Sequence, residues 1–139
     1  MKPIYQTTVV AKGGRDGHVR STDGVLDLDV RVPRELRGQG GAFTNPEQLF
    51  AAGYAACFDS ALNHVARTER EDISSEVTAT VGLKLDGLSG FELAVTLDVK
   101  ISGVDKATAE KLLEKAHQTC PYSKAIHNNV DVKLNLITE

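Results

Sequence analysis

Apolar and polar positions alternate with period two through the first third of the chain, over Ile4 to Ala11, His18 to Thr22 and Val25 to Val32. The turn signals "GGRDG" and "TDG" separate these runs, so the pattern predicts three short strands. From about Pro46 to Arg67 the pattern becomes helical, and between Leu49 and Leu62 only Asp59 and Ser60 are clearly polar. A helix so apolar must be covered on nearly every side. Alternation returns over Glu76 to Asp86 and Phe91 to Ser102, which flank "GLSG" and read as a hairpin. The segment "DKATAEKLLEKAHQT" sets Ala109, Leu112, Leu113 and Ala116 on one face of an amphipathic helix. Pro121 stops or re-caps that helix, and Val130 to Ile137 supplies a last strand. The order β-β-β-α-β-β-α-β predicts an α+β fold with largely antiparallel pairing, in one domain spanning residues 1–139.

The start of the central helix is well marked. Asn45 before Pro46 suits an N-cap, Gln48 stands where a capping box would close, and Glu47 suits the positive end of the helix dipole. The glycine-rich stretch "RELRGQGGAFT" before it reads as a surface crossover or the wall of a pocket. Within the helix, Phe50, Tyr54, Cys57, Ala61 and His64 make one seam, while the small residues Ala51, Ala52, Gly53, Ala55 and Ala56 permit a close neighbour. A second copy of the same helix meets that need, which predicts a homodimer.

Composition narrows the function. A net charge of -3 and a pI near 5.8, with both signs interspersed, leave no basic stripe for nucleic acid or an anionic membrane. The first ten residues lack the apolar core of a signal peptide, and no run approaches the roughly 20 apolar residues of a membrane span. The expectation is a cytoplasmic protein. In a reducing compartment the two cysteines, Cys57 and Cys120, are either inert core residues or redox-active ones. On the residues alone, Cys57 reads first as a small buried hydrophobe. Cys120 stands at a helix end beside Pro121, a more reachable place. His18, His64, His117 and His127 form no zinc pattern with the cysteines, and His64 reads as a core histidine.

Five segments alter that balance: "GGRDG" (13–17), "SxDGVLDL" (21–28), "PREL" (33–36), "GQGGAFTNPEQLFAAGYAACF" (38–58) and "AHQTCPYS" (116–123). In content and order they resemble the organic hydroperoxide resistance (Ohr) branch of the OsmC/Ohr superfamily. The resemblance implies an intertwined α+β homodimer with antiparallel-rich sheets around a central buried helix. It implies a cysteine-based reductase of organic hydroperoxides that needs no cofactor or metal. By position, Cys57 would be the peroxidatic cysteine, Cys120 the resolving cysteine, and Arg15 with Glu47 the activating pair. The implied reductant is a dihydrolipoyl group, as dihydrolipoamide or on a lipoylated protein. The rival is a dimeric protein that holds an apolar ligand with both thiols inert.

The chemistry is consistent with these roles. A peroxidatic thiol must be a thiolate held by a cation, and arginine presents a permanent charge and a planar fork of donors. A glutamate can orient that fork through paired hydrogen bonds. Phe50 and Tyr54 would give an apolar wall to the approach, suited to the alkyl part of a hydroperoxide. One geometric condition follows. Glu47 and Cys57 are ten positions apart, about 15 Å along a straight helix, so one guanidinium does not easily touch both. Either the helix is interrupted, or Arg15 and Glu47 serve the thiol of a partner chain.

Overall fold

The computed structural model describes residues 1–138. Two compact units divide the chain, Met1–Leu49 and Phe50–Glu139. The first holds a three-stranded antiparallel sheet in the order β1 (Val9–Lys12), β2 (His18–Ser21) and β3 (Asp27–Asp29). The strands are shorter than the alternation predicts. Registered pairing runs from Val9↔Ser21 to Lys12↔His18, and ahead of it the Thr8 carbonyl accepts from the Thr22 N–H at 3.0 Å. Likewise Val30, which is buried, leaves β3 and makes an isolated parallel bridge with Thr44.

Cross-strand side chains fasten this sheet. His18 lies between two carboxylates of β3, with Nδ1 2.6 Å from Asp29 and Nε2 against Asp27. Hydrogen bonding to Asp29 and then Asp27 raises the His18 pKa, and the same contact lowers that of Asp29. The glycine-rich stretch borders a cleft of about 510 Å³, with Arg34, Gly40, Gly41 and Phe43 in its lining. The pocket-wall expectation therefore describes it well.

Helix α1 (Pro46–Thr68) begins at the end of the first unit and runs without a break. Its cap forms by half of the predicted box. The Asn45 carboxamide accepts from the Gln48 N–H at 2.9 Å, while the Gln48 side chain accepts from the Thr44 hydroxyl at 2.8 Å instead of reaching back.

In the second unit, β4 (Ser74–Leu85) and β5 (Phe91–Ser102) pair antiparallel along their whole length, and β6 (Val132–Thr138) joins β5 in parallel. The parallel partner is reached through α2 (Lys106–Thr119) and α3 (Pro121–Ala125), as a crossover requires. Val95, Leu97, Val99 and Ile101 point from β5 into the core and are buried there with Ala109, Leu112, Leu113 and Ala116 of α2. From α1, the core receives Tyr54, Phe58, Ala61, Leu62, Val65 and Ala66. Asp59, the polar break in the apolar run, is tied to β4: Ser75 donates to its carboxylate at 2.5 Å, and Asn63 donates to Ser75 at 2.9 Å.

One expectation about α1 needs correction. His64 is exposed, not a core histidine, because the buried face turns through Phe58, Leu62 and Val65 and carries position 64 outward. Within the chain the helix leaves Ala52, Ala56 and Ser60 exposed.

Candidate functional site

In the first unit, a single turn of 3-10 helix over Gly14–Asp16 presents Arg15. Gly13 starts the turn with φ 83, a left-handed conformation that side chains with a Cβ resist. The Asp16 carboxylate then pins the turn by accepting from the Val32 N–H at 3.1 Å. Arg15 donates twice to Glu47, Nη1 to Oε2 at 2.9 Å and Nη2 to Oε1 at 2.7 Å. This is the bidentate geometry that fixes a guanidinium in plane. The hydrogen bond raises the Arg15 pKa and holds the Glu47 carboxyl below its ordinary range. The sequence-predicted pair is thus together.

In the second unit, Cys57 on α1 and Cys120 between α2 and α3 lie with their sulfurs 3.5 Å apart, both as free thiols. Cys57 is half-buried. Cys120 is fully buried, which corrects the expectation of a more reachable thiol at the helix end. The reason is local. Cys120 serves as C-cap of α2 and N-cap of α3, its N–H bonded to Ala116 and its carbonyl accepting from Lys124, so the sharp turn folds the side chain inward. Burial pushes the Cys57 thiol above its ordinary value, a backbone hydrogen bond from Tyr122 pulls it down, and Cys120 pushes it up again. The thiol would need a cation to ionise readily near neutrality.

Phe50 and Tyr54 are together as expected, edge to face at 6.1 Å between centroids. Sequence reasoning missed the third ring of the cluster, Tyr122, which stands 5.9 Å from Phe50 and 5.7 Å from Tyr54. Tyr54 is fully buried and backs the cluster, while Tyr122 is 37% exposed and faces outward. Gly53 makes this possible, because a Cβ there would fall on the Tyr122 hydroxyl. Also unforeseen is a chain of polar contacts: Tyr54 Oη lies 2.6 Å from Ser123 Oγ, and Ser123 Oγ lies 2.9 Å from His117 Nδ1. Its signal in the sequence was the spacing, since Tyr54 precedes Cys57 by three positions while His117 and Ser123 flank Cys120 at three on either side.

A family profile described as "OsmC-like protein" matches residues 38–135, a range that includes both thiols and Glu47. The chain belongs to the OsmC/Ohr family. An organic hydroperoxide resistance protein, OhrA, from Bacillus subtilis is 54% identical over 137 residues, covering 97% of each chain. A crystal structure of an organic hydroperoxide resistance protein from Legionella pneumophila matches with TM-score 0.93 and 52% identity, covering 97% of this chain and 98% of that one. A second, from Elizabethkingia anophelis with thiocyanate bound, gives TM-score 0.95 and 47% identity over the whole of both chains. The α+β OsmC/Ohr fold expected from the sequence is therefore present. Among the described residues, no helix is long and apolar enough to cross a membrane.

Proposed function

We propose that this OsmC/Ohr family member is a thiol peroxidase that reduces organic hydroperoxides to alcohols. The 3.5 Å approach of Cys57 and Cys120 carries the reading, since two free thiols in contact suit a reversible disulfide. The names of its close relatives support the substrate class. Cys57 attacks as thiolate, the O–O bond breaks, the alkoxide leaves and takes a proton as alcohol, and Cys57 remains as sulfenic acid. Cys120 then condenses with that sulfenic acid to a disulfide and releases water. A dihydrolipoyl group, as the family resemblance suggests, returns both thiols and becomes the cyclic disulfide.

Arg15 and Glu47 form the activating pair, acting on the Cys57 of a partner chain in a homodimer. Three observations favour that arrangement: α1 is unbroken, Glu47 and Cys57 are ten positions apart on it, and the exposed Ala52, Ala56 and Ser60 leave room for a closely packed neighbour. Phe50 and Tyr122, backed by Tyr54, give the alkyl group an apolar wall.

Thiol titration before and after one equivalent of cumene hydroperoxide tests the function. Loss of two thiols per chain, with turnover on adding dihydrolipoamide, is the expected result; no loss would replace the peroxidase with a binding protein whose thiols are inert.

A further inference from the structure

The peroxidase reading gives no task to the polar chain Tyr54–Ser123–His117. Its placement is unusual. Tyr54 is fully buried and Ser123 is 2% exposed, in a core otherwise made of aliphatic and aromatic groups. Phe58, one turn further along α1, is equally buried and carries no hydroxyl. The three residues come from three helices, and each lies about one helical turn from a thiol: Tyr54 before Cys57 on α1, His117 before Cys120 on α2, and Ser123 after Cys120 on α3.

Resting on the peroxidase reading above, we propose that this chain is a positioning device for disulfide formation: it holds the backbone around Cys120 at a fixed reach from Cys57, and the attack on peroxide does not need it. Apolar contacts tolerate sliding, whereas two short hydrogen bonds through one hydroxyl fix both distance and direction. Burial keeps the His117 pKa low, so a neutral ring can accept through Nδ1 while Tyr54 donates to Ser123 and Ser123 to His117. That run satisfies every member. The step it serves is sensitive to position. The Cys120 sulfur attacks the Cys57 sulfur, the S–O bond breaks and the S–S bond forms, and the Cys120 proton leaves with the hydroxyl as water. Cys120 is oxidised, Cys57 is reduced from the sulfenic state, and the polar chain exchanges no atoms. From a 3.5 Å contact the sulfurs must close to about 2.05 Å. An error of about 1 Å in such an approach can cost about 100-fold in rate.

The test uses Ser123→Ala and His117→Leu, which break the chain, and His117→Asn, whose amide keeps a polar atom near the Nδ1 position. After one equivalent of cumene hydroperoxide, quenched samples are labelled with dimedone for sulfenic acid and counted for free thiols. The first thiol should be lost at the wild-type rate within about two-fold, while loss of the second slows at least about 10-fold in Ser123→Ala and His117→Leu and recovers in His117→Asn. A second arm needs no peroxide: the fraction of Cys57–Cys120 disulfide at equilibrium with oxidised and reduced dithiothreitol should fall about 10-fold in equilibrium constant for Ser123→Ala and for Tyr54→Phe. The Tyr54→Phe, Ser123→Ala double variant should be no worse than either single one, because both break one chain. Equal slowing of both steps, failure of His117→Asn to recover, additive effects in the double variant, or wild-type behaviour in the dithiothreitol arm would each overturn the proposal. No loss of thiols when peroxide is added to the wild type would overturn the peroxidase reading instead, and the dithiothreitol arm would still decide the role of the polar chain.

Discussion

The Cys120 sulfur, fully buried at the turn between α2 and α3, lies 3.5 Å from the half-buried sulfur of Cys57 on α1. The two thiols differ in exposure. In the proposed mechanism a peroxide meets the more exposed Cys57, and the buried Cys120 waits behind it.

Cys57→Ser should therefore abolish hydroperoxide reduction while leaving the secondary structure unchanged, because a serine hydroxyl is a poor nucleophile near neutral pH. Steady-state turnover with dihydrolipoamide measures it, and residual activity above roughly a tenth of wild type would exclude Cys57 as the attacking group. In Cys120→Ser the first attack should survive, no internal disulfide should form, and excess peroxide should drive Cys57 to the sulfinic acid, detectable by mass spectrometry.

Arg15 bears on the pH dependence. Burial raises the Cys57 pKa, so without a cation the thiolate fraction, and the attack rate with it, climbs as pH rises. Arg15→Ala should move the midpoint of the pH–rate profile up past the free-thiol value of about 8.5, because burial then acts unopposed, and Arg15→Lys should restore charge without the fork. If the site is shared between chains, mixing inactive Arg15→Ala and Cys57→Ser proteins under subunit exchange should return one working site per heterodimer. Verified heterodimers without activity would place both residues within one chain.

Gly53 offers a cleaner test of the aromatic wall. Alanine is better than glycine in a helix by roughly 0.5–1 kcal/mol, yet here its Cβ meets the Tyr122 hydroxyl. Overpacking of that kind costs typically about 1–3 kcal/mol. Gly53→Ala should lower stability in urea unfolding and reduce kcat/KM for cumene hydroperoxide; a stabilised protein would mean that Tyr122 swings away freely.

The same wall predicts selectivity. Bulky alkyl hydroperoxides should exceed hydrogen peroxide in kcat/KM by at least about 10-fold to 100-fold, since each buried methylene contributes about 0.8 kcal/mol. Competition assays with the two peroxides measure this ratio, and equal efficiency would remove the apolar approach.

The carboxylates around His18 give a pH signature in the first unit. The His18 pKa is raised above 6.5, so its contribution to stability is full below that value and is lost as pH rises through the folded pKa. The Asp29 pKa is lowered below 3.8, so its contribution is present above that value and is lost as pH falls through the folded pKa. The β2–β3 contact should be firmest between these limits. A histidine titration by NMR should show His18 above 6.5 in wild type and lower in Asp29→Asn.

Period and punctuation made most of this architecture legible. The alternation in β4 and β5, the apolar face of α2 and the Asn45–Pro46 start of α1 depend on neighbouring residues and local propensity, which a sequence displays. The parallel pairing of β6 and the burial of Cys120 depend on where a crossover lands, which no local pattern encodes. The same holds for Ser123, whose hydroxyl gains meaning only from Tyr54 and His117 arriving from other helices. Arg15 and Glu47 were assigned by resemblance alone, and their bidentate contact is seen only in the fold.

The order of pairing in the second sheet has a consequence for how the redox pair comes into being. The β4–β5 hairpin pairs neighbouring segments, whereas β6 reaches β5 across the intervening helices, in the crossover that carries Cys120. Apposition of the two sulfurs, 63 positions apart, is thus a non-local contact, and its formation is expected late in assembly. It is also tied to the grip of an edge strand. Transient detachment of β6 should release the crossover and separate the thiols, so slow exchange of the β6 amides with deuterium and retention of the sulfur contact are two faces of one cooperative unit.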